Sequence, residues 1–168
     1  MANSRDIEMI QPYGGDAFLG HLSTPVSDSA FTRAFIGNLP AYREGLSPLL
    51  RGLEVGMAHG YFLYGPFALL GPLRDSDLAS VAGLLATLGM VMILTVALSI
   101  HGGADVNKPP VTAATPNPPE SLWTKTGWSE FAGGFFLGAC GGAFFAYFLC
   151  QTPHLEPLQK IASGVWSS

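Results

Sequence analysis

Apolar residues run together along much of this chain instead of being broken up by charges. Leu78 to Ile100 contains no charged side chain, and neither does Phe131 to Leu149. Each approaches the roughly 20 apolar residues that a membrane-crossing helix needs. A third run, Leu49 to Leu73, is interrupted only by Arg51, Glu54 and His59. Ser47-Pro48 just before it is a sensible helix start, with proline in the first turn, where its missing N–H costs nothing. The pattern predicts an all-α integral membrane protein with three transmembrane helices, over about 49–73, 78–100 and 131–149, preceded by an extended peripheral segment.

That peripheral N-terminal segment, residues 1–46, is polar and rich in turns, punctuated by Gly14-Gly15, Thr24-Pro25 and Leu39-Pro40. Its small apolar clusters, Phe31, Phe35 and Ile36, are too few for a core of their own, so it is expected to lie on partner surfaces. Within the three-helix domain, 47–153, the hairpin Gly71 to Asp77 is short enough to make the first two helices antiparallel neighbours, with Ser76 or Asp77 capping the second. The loop 102–127 is stiffened by Pro109, Pro110, Pro116, Pro118 and Pro119 and is expected to exclude helix and project from the membrane. Trp123 and Trp128 follow at the place of an interfacial aromatic belt. The tail, 154–168, spaces Leu158, Ile161 and Val165 as a weak amphipathic helix for a membrane surface or a neighbouring subunit.

Composition strengthens the membrane reading. Of 168 residues, 48% are hydrophobic and 12% charged, against about a quarter charged in an ordinary soluble domain. Arg5, Arg33, Arg43, Arg51, Lys108 and Lys125 fall on one side of a three-span topology and only Arg74 and Lys160 on the other, which places the N-terminus in the cytoplasm or its equivalent. The first residues show neither a signal-peptide pattern nor transit-peptide composition, so the first span is expected to act as its own address. Cys140 and Cys150 are separated by about 15 Å of helical rise, too far for an intrachain disulfide. No HExxH, GxSxG, phosphate loop, CxxC or GxGxxG occurs, so no enzyme is expected. A net charge of −4 without a basic stripe gives no support for nucleic-acid binding.

Glu54 and His59 are the candidates for chemistry, because an ionisable group at membrane depth is costly unless something binds it. Five residues of helix rotate about 500°, leaving the two side chains about 140° apart in azimuth and about 7.5 Å apart along the axis. They suit two separate centres with one axial protein ligand each, not one zinc or a dinuclear carboxylate site. A magnesium porphyrin makes that demand: the macrocycle supplies four nitrogens, and a hard magnesium ion accepts a carboxylate or a neutral imidazole. Arg51, one turn earlier, is placed to pair with Glu54. Purely structural roles stay open: an imidazole bonded to a facing helix, or a carboxyl bonded to a carbonyl or paired with Arg51. Haem is weaker, since it would commonly want a second histidine at matched depth; His101 ends the second span, and His21 and His154 lie outside. Gly52, Gly56 and Gly60, and again Gly134, Gly138 and Gly142, recur every four residues. They permit close helix packing, or room for a flat pigment ring or a carotenoid.

Longer motifs carry a resemblance. Gly15-Asp16, the run Gly20-His21-Leu22-Ser23-Thr24-Pro25, the stretch from Phe35 to Arg43, Leu50 to Leu63 and Gly71 to Asp77 resemble subunit L of photosystem I, also called subunit XI, densely over about residues 13–78. Gly127-Trp128-Ser129 and the glycine-rich third span continue it less specifically. The resemblance implies a three-span antenna scaffold, not a catalyst, at the oligomer-forming edge of the photosystem in a cyanobacterial thylakoid membrane, with its N-terminus stromal and its C-terminal tail lumenal. It would contact membrane lipid, other photosystem I subunits and neighbouring copies of itself. It also implies chlorophyll a held by Glu54 and His59, contact with β-carotene, and a calcium ion between copies on Asp75 and the Pro72 carbonyl. The structural reading of that hairpin is a cap for the next helix. Lys108 to Pro119 and the tail from His154 do not match the family pattern. The resemblance implies a trimer by default; a stiff inserted loop there would favour a dimer or tetramer instead, and trimer versus tetramer stays open. The competing function is a non-pigment membrane anchor or carrier subunit of a respiratory complex. A carrier would need polar groups along several helices, yet the second and third spans have no charge.

Overall fold

The computed structural model describes residues 10–104, 108 and 111–152. Pro109, Pro110 and the expected amphipathic pattern after His154 lie outside the described residues. Four helices carry the fold: α1 (Ala30–Asn38), α2 (Pro48–Leu70), α3 (Ala79–Gly103) and α4 (Lys125–Cys150). Ahead of them the sequence suggested only turns, but two short strands form, β1 (Gln11–Pro12) and β2 (Leu22–Ser23). They pair antiparallel with Gln11 opposite Ser23.

Local chemistry sets the helix ends. Ser47 Oγ accepts from Leu50 N at 3.3 Å, with Pro48 in the first turn of α2, satisfying one of the free N–H groups of a helix start. Gly71-Pro72 stops α2. In the hairpin the cap expected from Ser76 or Asp77 does not form: α3 starts after Leu78 with no side-chain cap, and Ser76 instead closes the turn, its hydroxyl accepting from Leu78 N at 3.3 Å and donating to Leu73 O at 2.8 Å. At α4 the structure departs from expectation. Thr124 Oγ1 accepts from Gly127 N at 3.0 Å and opens the helix at Lys125, so helix begins inside the loop 102–127, which was expected to exclude it. A 3-10 turn over Glu120–Trp123 precedes it. Thr124 is a capping residue, and capping decided the boundary where hydropathy pointed further on.

Packing rests on glycine. A β-carbon at Gly52, Gly56 or Gly60 would strike the carbonyls of Phe131, Phe135 and Ala139, and one at Gly134, Gly138 or Gly142 would strike those of Leu49, Leu53 and Met57. The two glycine rows therefore interdigitate, and α2 and α4 run parallel with backbone against backbone. Of the two open readings of these glycines, close helix packing is the one realised along this face. α3 closes the bundle: Val91, fully buried, packs with Phe135 and Ala139, and Leu84 packs with Tyr64, Ala143 and Ala146. Thr87, also buried, returns its hydroxyl to Gly83 O at 2.7 Å, so no polar group is stranded there.

The outside of the bundle is apolar. Ile93, Ile100, Leu137, Phe145 and Phe148 all face outward and are more than half exposed, an arrangement that in water would be an aggregation surface and in lipid is a matched one. Two helices, α3 and α4, are long and apolar enough to cross a membrane. α2 does not reach that standard on composition, because Arg51, Glu54, His59 and its glycines dilute the apolar run. The three expected spans thus appear as three long helices, of which two qualify by composition alone.

Candidate functional site

Glu54 and His59 both project from α2, and the structure gives each its own surroundings. His59 is exposed on the flank of the bundle. Its Nδ1 lies 2.7 Å from Val55 O, one turn back. A carbonyl can only accept, so Nδ1 is the donor, and a ring carrying its proton on that nitrogen alone has its lone pair on Nε2. The ring edge rests on Phe135 of α4, with centroids 5.8 Å apart. The arrangement is a tethered imidazole whose second nitrogen accepts from no group among the described residues. A hydrogen bond on the far nitrogen is also what orients ligating histidines and raises their basicity.

Glu54 is half-buried and pairs through Oε1 with Arg43 Nη2. The one-turn spacing had pointed to Arg51 as its partner. Arg51 instead is almost fully buried and gives Nη1 to Pro40 O at 3.0 Å, with Nε left without an acceptor. The guanidinium that meets Glu54 comes from the turn before α2, which helical spacing could not reveal. No group of three histidine, cysteine, aspartate or glutamate side chains capable of holding a metal is found among the described residues. What the two residues offer is one donor atom each, suited to a metal whose other ligands come from a macrocycle.

Pro72 and Asp75 lie together in the α2–α3 hairpin. Asp75 is 85% exposed and lies 3.5 Å from Arg74 Nε, and Asp77 is exposed as well, so the hairpin presents two carboxylates outward. At the other end of the bundle His101 stacks edge-on against Trp128, centroids 4.6 Å apart, and Trp128 donates Nε1 to Leu122 O at 3.0 Å. Lys108 lies over the ring of Trp123 at 4.6 Å. Trp128 is therefore tied into the bundle end. Cys140 and Cys150 are not joined in a disulfide.

A family profile described as photosystem I reaction centre subunit XI matches residues 9–155. The photosystem I reaction center subunit XI of a Picosynechococcus is 63% identical to this chain over 144 residues, covering 86% of this chain and 94% of the relative. That of a Cyanothece is 58% identical over 167 residues, 99% of this chain and 100% of the relative. The Synechococcus elongatus protein of the same name is 58% identical over 156 residues, 92% and 94% of the two chains.

Proposed function

Because the chain belongs to the photosystem I reaction centre subunit XI family, we propose that it is a three-span antenna subunit of that photosystem, carrying chlorophyll a on His59 and Glu54, touching β-carotene, and forming contacts between copies of the complex. Membership makes it a photosystem I subunit of the thylakoid membrane, associated with the other subunits. The finer reading rests on its own residues. α2 runs parallel to and in backbone contact with α4 from Gly52 to Gly60; two parallel helices in such contact share one layer, so α2 crosses where α4 crosses. Bound ligands also offset the penalty of Glu54 and His59 at that depth. The charge distribution supports a stromal N-terminus.

The single observation that carries the pigment assignment is His59: Nδ1 committed to Val55 O, Nε2 uncommitted, on an exposed apolar flank. Such a nitrogen suits a magnesium that lacks one axial ligand, and the chlorophyll so held would supply light absorption and excitation transfer. In the native photosystem, His59→Leu should leave the complex assembled with one chlorophyll fewer per chain by pigment extraction. Unchanged stoichiometry would remove His59 from the role.

The hairpin supports a second, smaller proposal. Calcium takes about 6–8 oxygen ligands, and Asp75 with the Pro72 carbonyl supplies only the beginning of such a shell, so the rest must come from water or a neighbouring copy. Chelation, or Asp75→Asn, should shift the native oligomers toward monomers in sucrose gradients. A gradient that does not move refutes a metal-dependent contact.

A further inference from the structure

The turn between α1 and α2 is folded back onto the start of α2. Tyr42 N and Arg43 N both donate to Leu39 O, at 2.9 and 2.8 Å. Buried Arg51 fastens the turn from below through Pro40 O. Gly45, with φ of +78°, reverses the chain into the Ser47 cap, a conformation that other residues rarely adopt. Residues 39–45 are thus a strap, and its product is the placement of the Arg43 guanidinium on Glu54 Oε1.

Building on the reading of Glu54 as a pigment ligand, we propose that Arg43 is the positioning residue for that carboxylate: it holds Oε1 from the strap, so that Oε2 is the oxygen presented to a magnesium. Magnitudes favour geometry over stability as its role. The two side chains are 36% and 33% exposed, and an ion pair that open contributes little to stability beside the glycine seam. A free glutamate, by contrast, has several rotamers and two equivalent oxygens, and a ligand that must be ordered on binding loses affinity to that ordering. One guanidinium, that of Arg43, meets the carboxylate here, which matches an anionic ligand. Arginine suits the task better than lysine, because its planar fork fixes direction as well as charge.

The test uses native photosystem from cells carrying Glu54→Gln, Arg43→Gln or Arg43→Lys, read by chlorophyll count per chain and low-temperature absorption and circular-dichroism difference spectra. Glu54→Gln should lose or displace the bands of one chlorophyll. Arg43→Gln should give the same difference spectrum with the His59 pigment untouched, and Arg43→Lys should recover occupancy with those bands still displaced. Unmoved bands in Arg43→Gln, beside changed ones in Glu54→Gln, overturn the inference while leaving the ligand reading intact. A silent Glu54→Gln removes the ligand reading itself, and the inference with it. If Arg43→Gln does not assemble, Arg43→Lys decides: displaced bands support the inference and unmoved bands overturn it.

Discussion

Along the α2–α4 seam each backbone rests on the carbonyls of the other, whereas residues 10–46 contain no buried side chain at all. The seam is made by removing side chains until two helices touch. The N-terminal segment is made by turns, caps, the Arg33–Asp28 pair and the Arg43 pair to Glu54 of α2, with Phe18, Val26 and Phe31 left 98%, 80% and 79% exposed. In lipid there is no hydrophobic drive between helices, so close contact must supply the affinity. In the peripheral segment large apolar side chains stay uncovered by the chain itself. One region is closed by its own helices, and the other leaves its apolar side chains uncovered.

Substitution can break or sharpen that contrast. Gly138→Leu, which must displace the Leu53 carbonyl, should prevent the subunit from accumulating, since overpacking costs about 1–3 kcal/mol or more. Gly133→Leu, on the same helix with nothing within 4 Å of a β-carbon, should accumulate normally; immunoblots of membranes compare the two. Equal loss in both would mean that helix composition, not the seam, is what matters. Next in size, Ser47→Ala removes the α2 cap and should lower stability by about 1 kcal/mol, measurable as a fall in the melting temperature of the detergent-solubilised chain. Smallest of all, Phe31→Ser should change that melting temperature by less than about 0.5 kcal/mol equivalent, yet release the subunit from the photosystem at lower detergent than wild type. If the assembled complex is as resistant as wild type, the exposed face of α1 is not a contact.

Much of the bundle was legible because long apolar runs and helix punctuation agree. Ser47-Pro48 marked the start of α2, the hairpin from Gly71 marked the turn after it although the expected span ran on to Leu73 where the helix ends at Leu70, and the four-residue glycine rows marked the faces that meet. The start of α4 was not legible from hydropathy, since Lys125, Glu130 and their neighbours are polar and the helix is set by the Thr124 hydroxyl. At the site, the positions of Glu54 and His59 on one helix followed from spacing, as did their different directions. Their partners did not. Arg51 obeyed the one-turn rule in position but gave its guanidinium to the Pro40 carbonyl, because a buried donor takes the acceptor the fold brings to it. Arg43 reaches Glu54 across a reversal of the chain, and no periodicity reports a reversal. The β1–β2 pair escaped notice because strands of two residues carry no alternation.

The parallel course of α2 and α4 has a consequence for biogenesis. The ribosome finishes Leu70 long before it begins Lys125, and at about 5–20 residues per second the interval lasts several seconds. Through that wait the glycine row of the earlier helix has no mate, and α3 cannot supply one, because the carbonyls it must meet belong to α4. A nascent chain at that stage shows its glycine row to lipid until the last helix arrives, which its backbone tolerates because each N–H and C=O is already bonded within the helix.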